Sequence, residues 1–156
     1  MYVPSYQLLL NKKTGRSYLK KEREVLYEED INTVCTPYMV YKLVEDMFKL
    51  SEKAEEHAYI MALNSKCKVL GFFNVSKGTV NSSLIGIREI YVRALLIGAS
   101  FIILIHNHPS QDSTPSEKDV EITIRLKEAG ELLNIPLADH IIVGEKYYSF
   151  KEAGVL

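Results

Sequence analysis

The chain is poor in cysteine: Cys35 and Cys67 are its only two, and neither belongs to a CxxC pair. That excludes a disulfide framework and a zinc cluster built on thiolates, and it fits a reducing cytoplasm. An excess of one charge is also missing, since 19 Lys and Arg stand against 20 Asp and Glu for a net charge of -1. No global positive field therefore drives non-specific binding to a phosphate backbone, and a nucleic-acid partner stays open without support from net charge. No stretch approaches the roughly 20 apolar residues of a membrane-spanning helix. The N-terminus "MYVPSYQLLLNKKTG" has neither the basic start nor the long apolar core of a signal peptide. Repeats, low-complexity tracts and interdomain linkers are lacking too. What is present is 156 residues with 47% hydrophobic and 25% charged side chains, the make-up of one soluble folded domain. We therefore expect a soluble cytoplasmic protein with no membrane segment.

Along the chain, "SYQLLL" and "RSYLKKEREVLY" read as two strands joined by the turn "NKKTG". In "TPYMVYKLVEDMFKLSEKAEE" Thr36 serves as N-cap and Pro37 as the first helical residue. Val40, Leu43, Val44 and Met47 follow at helical spacing, so the stretch reads as a helix. "HAYIMALN" and "VLGFFNVSKGTV", on either side of "SKCK", look like a hairpin that continues past Gly71. "REIYVRALLIGA" reads as a short helix ending near Gly98. "SFIILIH" is apolar on both faces and suits a central strand covered from both sides. A loop, the helix "SEKDVEITIRLKEAGELLN", the strand "HIIVG", a "GEK" turn and a last strand "YYSF" complete the chain. The expected fold is α/β (α+β), a mixed sheet with helices packed on it.

The loop "HNHPSQDSTPSEKD" holds the chemistry. If "FIILIH" is a strand, the side chains at 106 and 108 point the same way, about 6.6–6.8 Å apart along the backbone. Two imidazoles so placed can converge on one ion, and an open zinc site needs three protein ligands. Asp119 is the best third, because Pro109 and Pro115 stop the strand and stiffen the return to a helix that begins near Ser116. The same letters also describe a simple helix cap, Ser116 with an acid three residues on, worth about 1 kcal/mol without any metal. Each histidine alone is an ordinary strand-end residue. Spacing by itself leaves the capped helix and the zinc site side by side.

These residues resemble a known family. "HNHPSQDSTPSEKD" is similar to the JAMM (MPN-plus) zinc motif, H-x-H, ten residues, D, with a serine three before the aspartate, filled by His106, His108, Ser116 and Asp119. "VSKGTVNSSLIGIREIY" and "TIRLKEAGELLNIPLADHIIVG" further resemble the RadC-type JAB domain, over roughly Thr36 to the C-terminus. The resemblance implies a JAB/MPN (cytidine-deaminase-like) architecture with a mainly antiparallel sheet. It divides the chain into an N-terminal β-hairpin extension, 1–35, and a RadC-like JAB/MPN zinc domain, 36–156. Full-length RadC-like proteins usually carry a helix-hairpin-helix domain first, and residues 1 to 35 do not look like one, so a stand-alone domain is expected. Before "REI" the family commonly has a proline where this sequence reads "LIGIREIY", a departure away from the ligands.

The implied activity is a zinc-dependent hydrolase, a metallopeptidase that cuts a peptide or isopeptide bond by a metal-activated water. One Zn2+ per chain would be held by His106, His108 and Asp119. Glu56, placed before the strand "HAYIMALN", would be the general base, preferred over its neighbour Glu55 because the family sets the acid directly before the strand. The Ser116 hydroxyl would stabilise the oxyanion, a role it must share with capping. Asp139 and His140 match a recurrent RadC pair, with packing or support of the ligands as their expected part. The partner expected is a peptide or protein substrate; the sequence fixes neither the scissile bond nor the oligomeric state. The alternative is a non-enzymatic RadC-like module associated with DNA repair or nucleic-acid processing. An HNH nuclease fails because its motif is spread over a hairpin and helix, and a zinc deaminase fails for want of H-x-E and P-C-x-x-C.

Overall fold

Thr36 caps the first helix with its hydroxyl, which accepts from the Met39 N–H at 3.2 Å, and Pro37 needs no N–H at the position it fills. In a computed structural model that describes residues 1–27, 34, 36–78 and 86–156, this helix is α1, Pro37–Phe48. It stops at Phe48 instead of running on through Glu56. Lys49 turns into the left-handed region (φ 49°, ψ 53°), which drops Leu50 into the core. The Glu45 carboxylate then accepts from both the N–H and the hydroxyl of Ser51, fixing a short 3-10 turn, Leu50–Glu52. No glycine or proline marks this end, so periodicity alone overran it.

The strands are β1 (Tyr2–Leu10), β2 (Ser17–Leu26), β3 (His57–Leu63), β4 (Val69–Lys77), β5 (Phe101–Asn107), β6 (Leu137–Val143) and β7 (Tyr147–Ser149). With α2 (Ile87–Ile97) and α3 (Glu117–Leu133) they complete the described elements. The expected continuation of β4 beyond Gly78 lies outside the described residues, as does Cys35; Cys67 is a free thiol. β6 begins at Leu137, earlier than the "HIIVG" stretch suggested. Asp139 and His140 interrupt the apolar pattern, yet both are buried within the strand.

The sheet order is β2-β1-β4-β3-β5-β6-β7, antiparallel except where β1 meets β4 and β5 meets β6. This is the mixed, mainly antiparallel sheet flanked by helices that the sequence led us to expect. The β1–β2 hairpin is the sheet's outer edge, joined to β4 through the pair Ser5↔Phe72. Gly71 is required at that junction: a Cβ there would stand 2.6 Å from the Tyr6 ring.

β5 lies near the centre with both faces covered. Ile103 and Ile105 join Val40, Leu43, Val44 and Met47 on the α1 side. Ile102 and Leu104 join Ile90, Ala94, Ile122 and Leu126 under α2 and α3. Continuing that alternation past Ile105 puts residues 106 and 108 on the α3 side and 107 on the α1 side. β3 follows suit, since Ala58, Ile60 and Ala62 face α2 and α3, and Ala58 is opposite His106.

Candidate metal centre

β5 emerges between β3 and β6, and α3 starts beside its end, so two chain segments far apart in sequence meet there. His106 is 2% exposed and Asp119 3%; His108 sits nearer the surface. Their ligand atoms converge: His106 Nε2 is 3.1 Å from His108 Nε2 and 3.2 Å from Asp119 Oδ1, and His108 Nε2 is 3.4 Å from Asp119 Oδ2. Around a tetrahedral zinc with bonds of about 2.0–2.1 Å, ligand atoms stand roughly 3.3–3.4 Å apart, so the spacing fits such an ion. These three residues form a cluster that can hold a metal ion.

Hydrogen-bond polarity supports that fit. His108 Nδ1 lies 2.7 Å from the Asp112 carbonyl, which only accepts, so the ring proton belongs on Nδ1 and Nε2 faces the centre as a lone pair. Asp119 contributes carboxylate oxygens. Lone pairs meeting with no donor between them repel unless a cation, proton or metal, sits among them. The bond to Asp119 raises the His108 pKa despite burial. Burial pushes Asp119 upward, but the ring nitrogens of His106 and His108, with the Ser116 hydroxyl, overcome it and hold the carboxyl well below its ordinary range.

Ser116 and Asp119 form a full capping box. Asp119 N–H donates to Ser116 Oγ at 3.2 Å, and Ser116 N–H donates to Asp119 Oδ2 at 2.7 Å. The cap fixes the carboxylate, so the two readings of this stretch describe one structure. The Ser116 hydroxyl proton also goes to Asp119 Oδ2, at 2.6 Å.

Glu56 sits just before β3, in phase with Ala58, and its neighbours in charge are His106, Asp119, His108 and Lys118. Burial raises its pKa, and His106 opposes that shift. Glu56, His108 and Ser116 line one cavity of about 490 Å3, together with Pro109, Ser110 and Gly78. Glu55 lines the same cavity beside Gly78, where its carboxylate oxygen is 3.5 Å from the space a Cβ would take.

Sequence reasoning passed over Asn107. Fully buried, its amide oxygen accepts from the His57 N–H at 2.8 Å, and its amide nitrogen donates to the carbonyls of Glu55 at 3.2 Å and Lys53 at 3.3 Å. The segment carrying Glu56 is thus tied to the strand that carries both histidines. Period-two alternation was the available signal, because the middle of H-x-H must face away from its neighbours. Gln111 adds a second tie, donating to the Ser51 carbonyl at 2.9 Å.

Residues 34–155 match the family model described as the RadC-like JAB domain. A UPF0758 protein of Staphylococcus haemolyticus is 44% identical over 135 residues, covering 84% of this chain and 58% of that protein. A UPF0758 protein of Clostridium kluyveri is 42% identical over 139 residues, covering 88% and 60%. One from Clostridium botulinum is 47% identical over 125 residues, covering 79% and 54%. The chain spans less than two thirds of the length of these relatives, and the name they share states no reaction.

Proposed function

The chain belongs to the RadC-like JAB domain family, and from that premise we propose that it is a zinc-dependent hydrolase of the JAMM type, cleaving a peptide or isopeptide bond in a peptide or protein substrate. The observation that carries this reading is the convergence of His106, His108 and Asp119 beside a cavity that His108, Ser116 and Glu56 line together. Three protein ligands, His106, His108 and Asp119, would hold the ion, the number found in catalytic zinc sites, where structural sites use four. A zinc ion, when bound, supplies Lewis acidity to activate water and polarise a scissile carbonyl.

The chain's own groups do the rest. Glu56 takes the proton of the attacking water and returns it to the leaving amine; the carboxylate near the ligands, with burial raising its pKa, suits both halves of that task. Ser116 donates its hydroxyl proton to the developing oxyanion. Capping and donation are separable, since the cap uses an oxygen lone pair and the oxyanion uses the proton. The competitor for that proton is Asp119 Oδ2, which keeps the Ser116 N–H when the hydroxyl turns away.

Metal analysis of the purified chain tests the assignment. We expect about one zinc per chain, and its loss in His106→Ala and in Asp119→Ala. Full zinc retention in both variants refutes the ligand set. Tight, salt-sensitive DNA binding with no hydrolysis across a broad peptide and isopeptide screen would put the non-enzymatic module first.

A further inference from the structure

Behind the cluster lies a chain of buried hydrogen bonds that the proposed hydrolysis does not use. His106 Nδ1 is 2.8 Å from His140 Nε2, His140 Nδ1 is 2.6 Å from Thr123 Oγ1, and Thr123 Oγ1 donates to the Asp119 carbonyl at 2.5 Å. Thr123 and His140 are fully buried. The path crosses three elements, from β5 through β6 to α3, and closes on the residue whose side chain is itself in the cluster.

The chain has one direction. A carbonyl oxygen only accepts, so the single Thr123 proton is committed to Asp119 O, and toward His140 the hydroxyl can only accept. His140 must then carry its proton on Nδ1. Among the described residues no carboxylate bonds to its ring, which stacks flat on Phe150 with centroids 4.8 Å apart, and with the ring proton on Nδ1 its Nε2 is the acceptor. His106 Nδ1 is left as the donor to it, and His106 Nε2 faces the cluster without a proton.

We propose that Thr123 and His140 are positioning residues that set the tautomer of His106, holding Nε2 as a lone pair aimed at the metal and tying the β5 ligand to the α3 ligand. This rests on the zinc reading above for its purpose, though not for its geometry. Metal-binding histidines commonly donate their second N–H to a carboxylate or a backbone carbonyl, and loss of such support typically costs 10–100-fold in affinity. Here a neutral histidine backed by a threonine does the work. The relay imposes a tautomer without adding a negative charge, so Asp119 remains the anion among the three ligands.

The test uses the full chain and the variants Thr123→Val and Thr123→Ser. Long-range proton–nitrogen spectra of the metal-free protein, recorded above the ordinary histidine range, read the tautomers directly. Nδ1–H on both His106 and His140 is expected in the wild type, and Nε2–H on His106 there overturns the relay whether or not any variant folds. Valine removes the acceptor for His140, so zinc affinity, measured by competition with a chelator, should fall about 10–100-fold while serine restores it to within about threefold. A folded Thr123→Val protein that binds zinc as tightly as the wild type overturns the proposal and leaves the ligand set standing. A wild type that takes no zinc overturns the zinc reading, and the nitrogen spectra still judge the relay.

Discussion

Replacing Asn107 with alanine should loosen the segment that carries Glu56 while leaving the proposed metal ligands in place. The side chain makes three bonds, at 2.8, 3.2 and 3.3 Å, and is fully buried. Truncation strands the His57 N–H between two strands, and an unsatisfied buried donor costs about 1–3 kcal/mol. The two carbonyls lose long bonds worth roughly 0.5–1 kcal/mol each, partly recovered by water reaching the vacated space. A total of about 2–4 kcal/mol follows, a large fraction of the ~5–15 kcal/mol that holds a domain together. Asn107→Asp is the sharper control. It keeps the acceptor for His57 but sets a carboxylate against two carbonyl oxygens and buries an unpaired charge, so it should cost at least as much as alanine. Urea unfolding of the metal-free proteins reads both values. Zinc stoichiometry should stay at the wild-type level in Asn107→Ala, because residue 107 faces the α1 side. Unfolding within about 0.5 kcal/mol of wild type, or an aspartate variant more stable than the alanine one, refutes the reasoning.

Two further outcomes follow from the same geometry. Glu56→Gln removes the base without touching a ligand, so zinc content should match the wild type and turnover of any substrate found should drop by at least about 100-fold; unchanged turnover moves the base elsewhere. Asp139 is buried, and burial raises its pKa even against the bonds from the Ser149 hydroxyl and the Lys151 and His140 N–H groups. A raised folded-state pKa means that the folded chain holds this proton more tightly than the unfolded one. Its stability contribution is present below the unfolded value and is lost as pH rises through the folded value. Asp139→Asn, with no proton to lose, should show a shallower fall in stability from the ordinary aspartate range to neutrality, and a slope equal to that of the wild type contradicts this.

Much of the fold was legible because β5 announces itself. A run such as "FIILI" with no polar face has to be covered on both sides, and the two apolar layers found on either side of it are that requirement met. Helix α3 was legible from its cap at Ser116, and α2 from Gly98, which takes the left-handed C-cap (φ 71°). The end of α1 was not, since Lys49 enters the left-handed region under tertiary demand, with Leu50 packed beneath it. The start of β6 was obscured for a related reason: Asp139 and His140 are polar in sequence but fully bonded in place, and hydropathy patterning cannot distinguish a satisfied buried polar residue from a loop.

The site divided along the same line. Residues that would touch a metal carry a signal in type and spacing, so His106, His108 and Asp119 stood out as candidates in the loop, although the family resemblance was needed to prefer zinc over a plain helix cap. Asn107 and Thr123, which aim them, were not singled out, because asparagine and threonine are common and reveal a role only through what they face, while His140 was named only through the family resemblance. The strand end shows why both kinds are needed. Alternation sends His106 and His108 to one side and Asn107 to the other, so three consecutive residues serve two tasks at once: the outer pair faces Asp119, and the middle one grips the segment that bears Glu56. The separation between the proposed base and the ligands is therefore governed by β5 itself. A shift of this strand by one residue would turn the histidines away from α3 and the asparagine toward it, abolishing the cluster and releasing Glu56 in the same step.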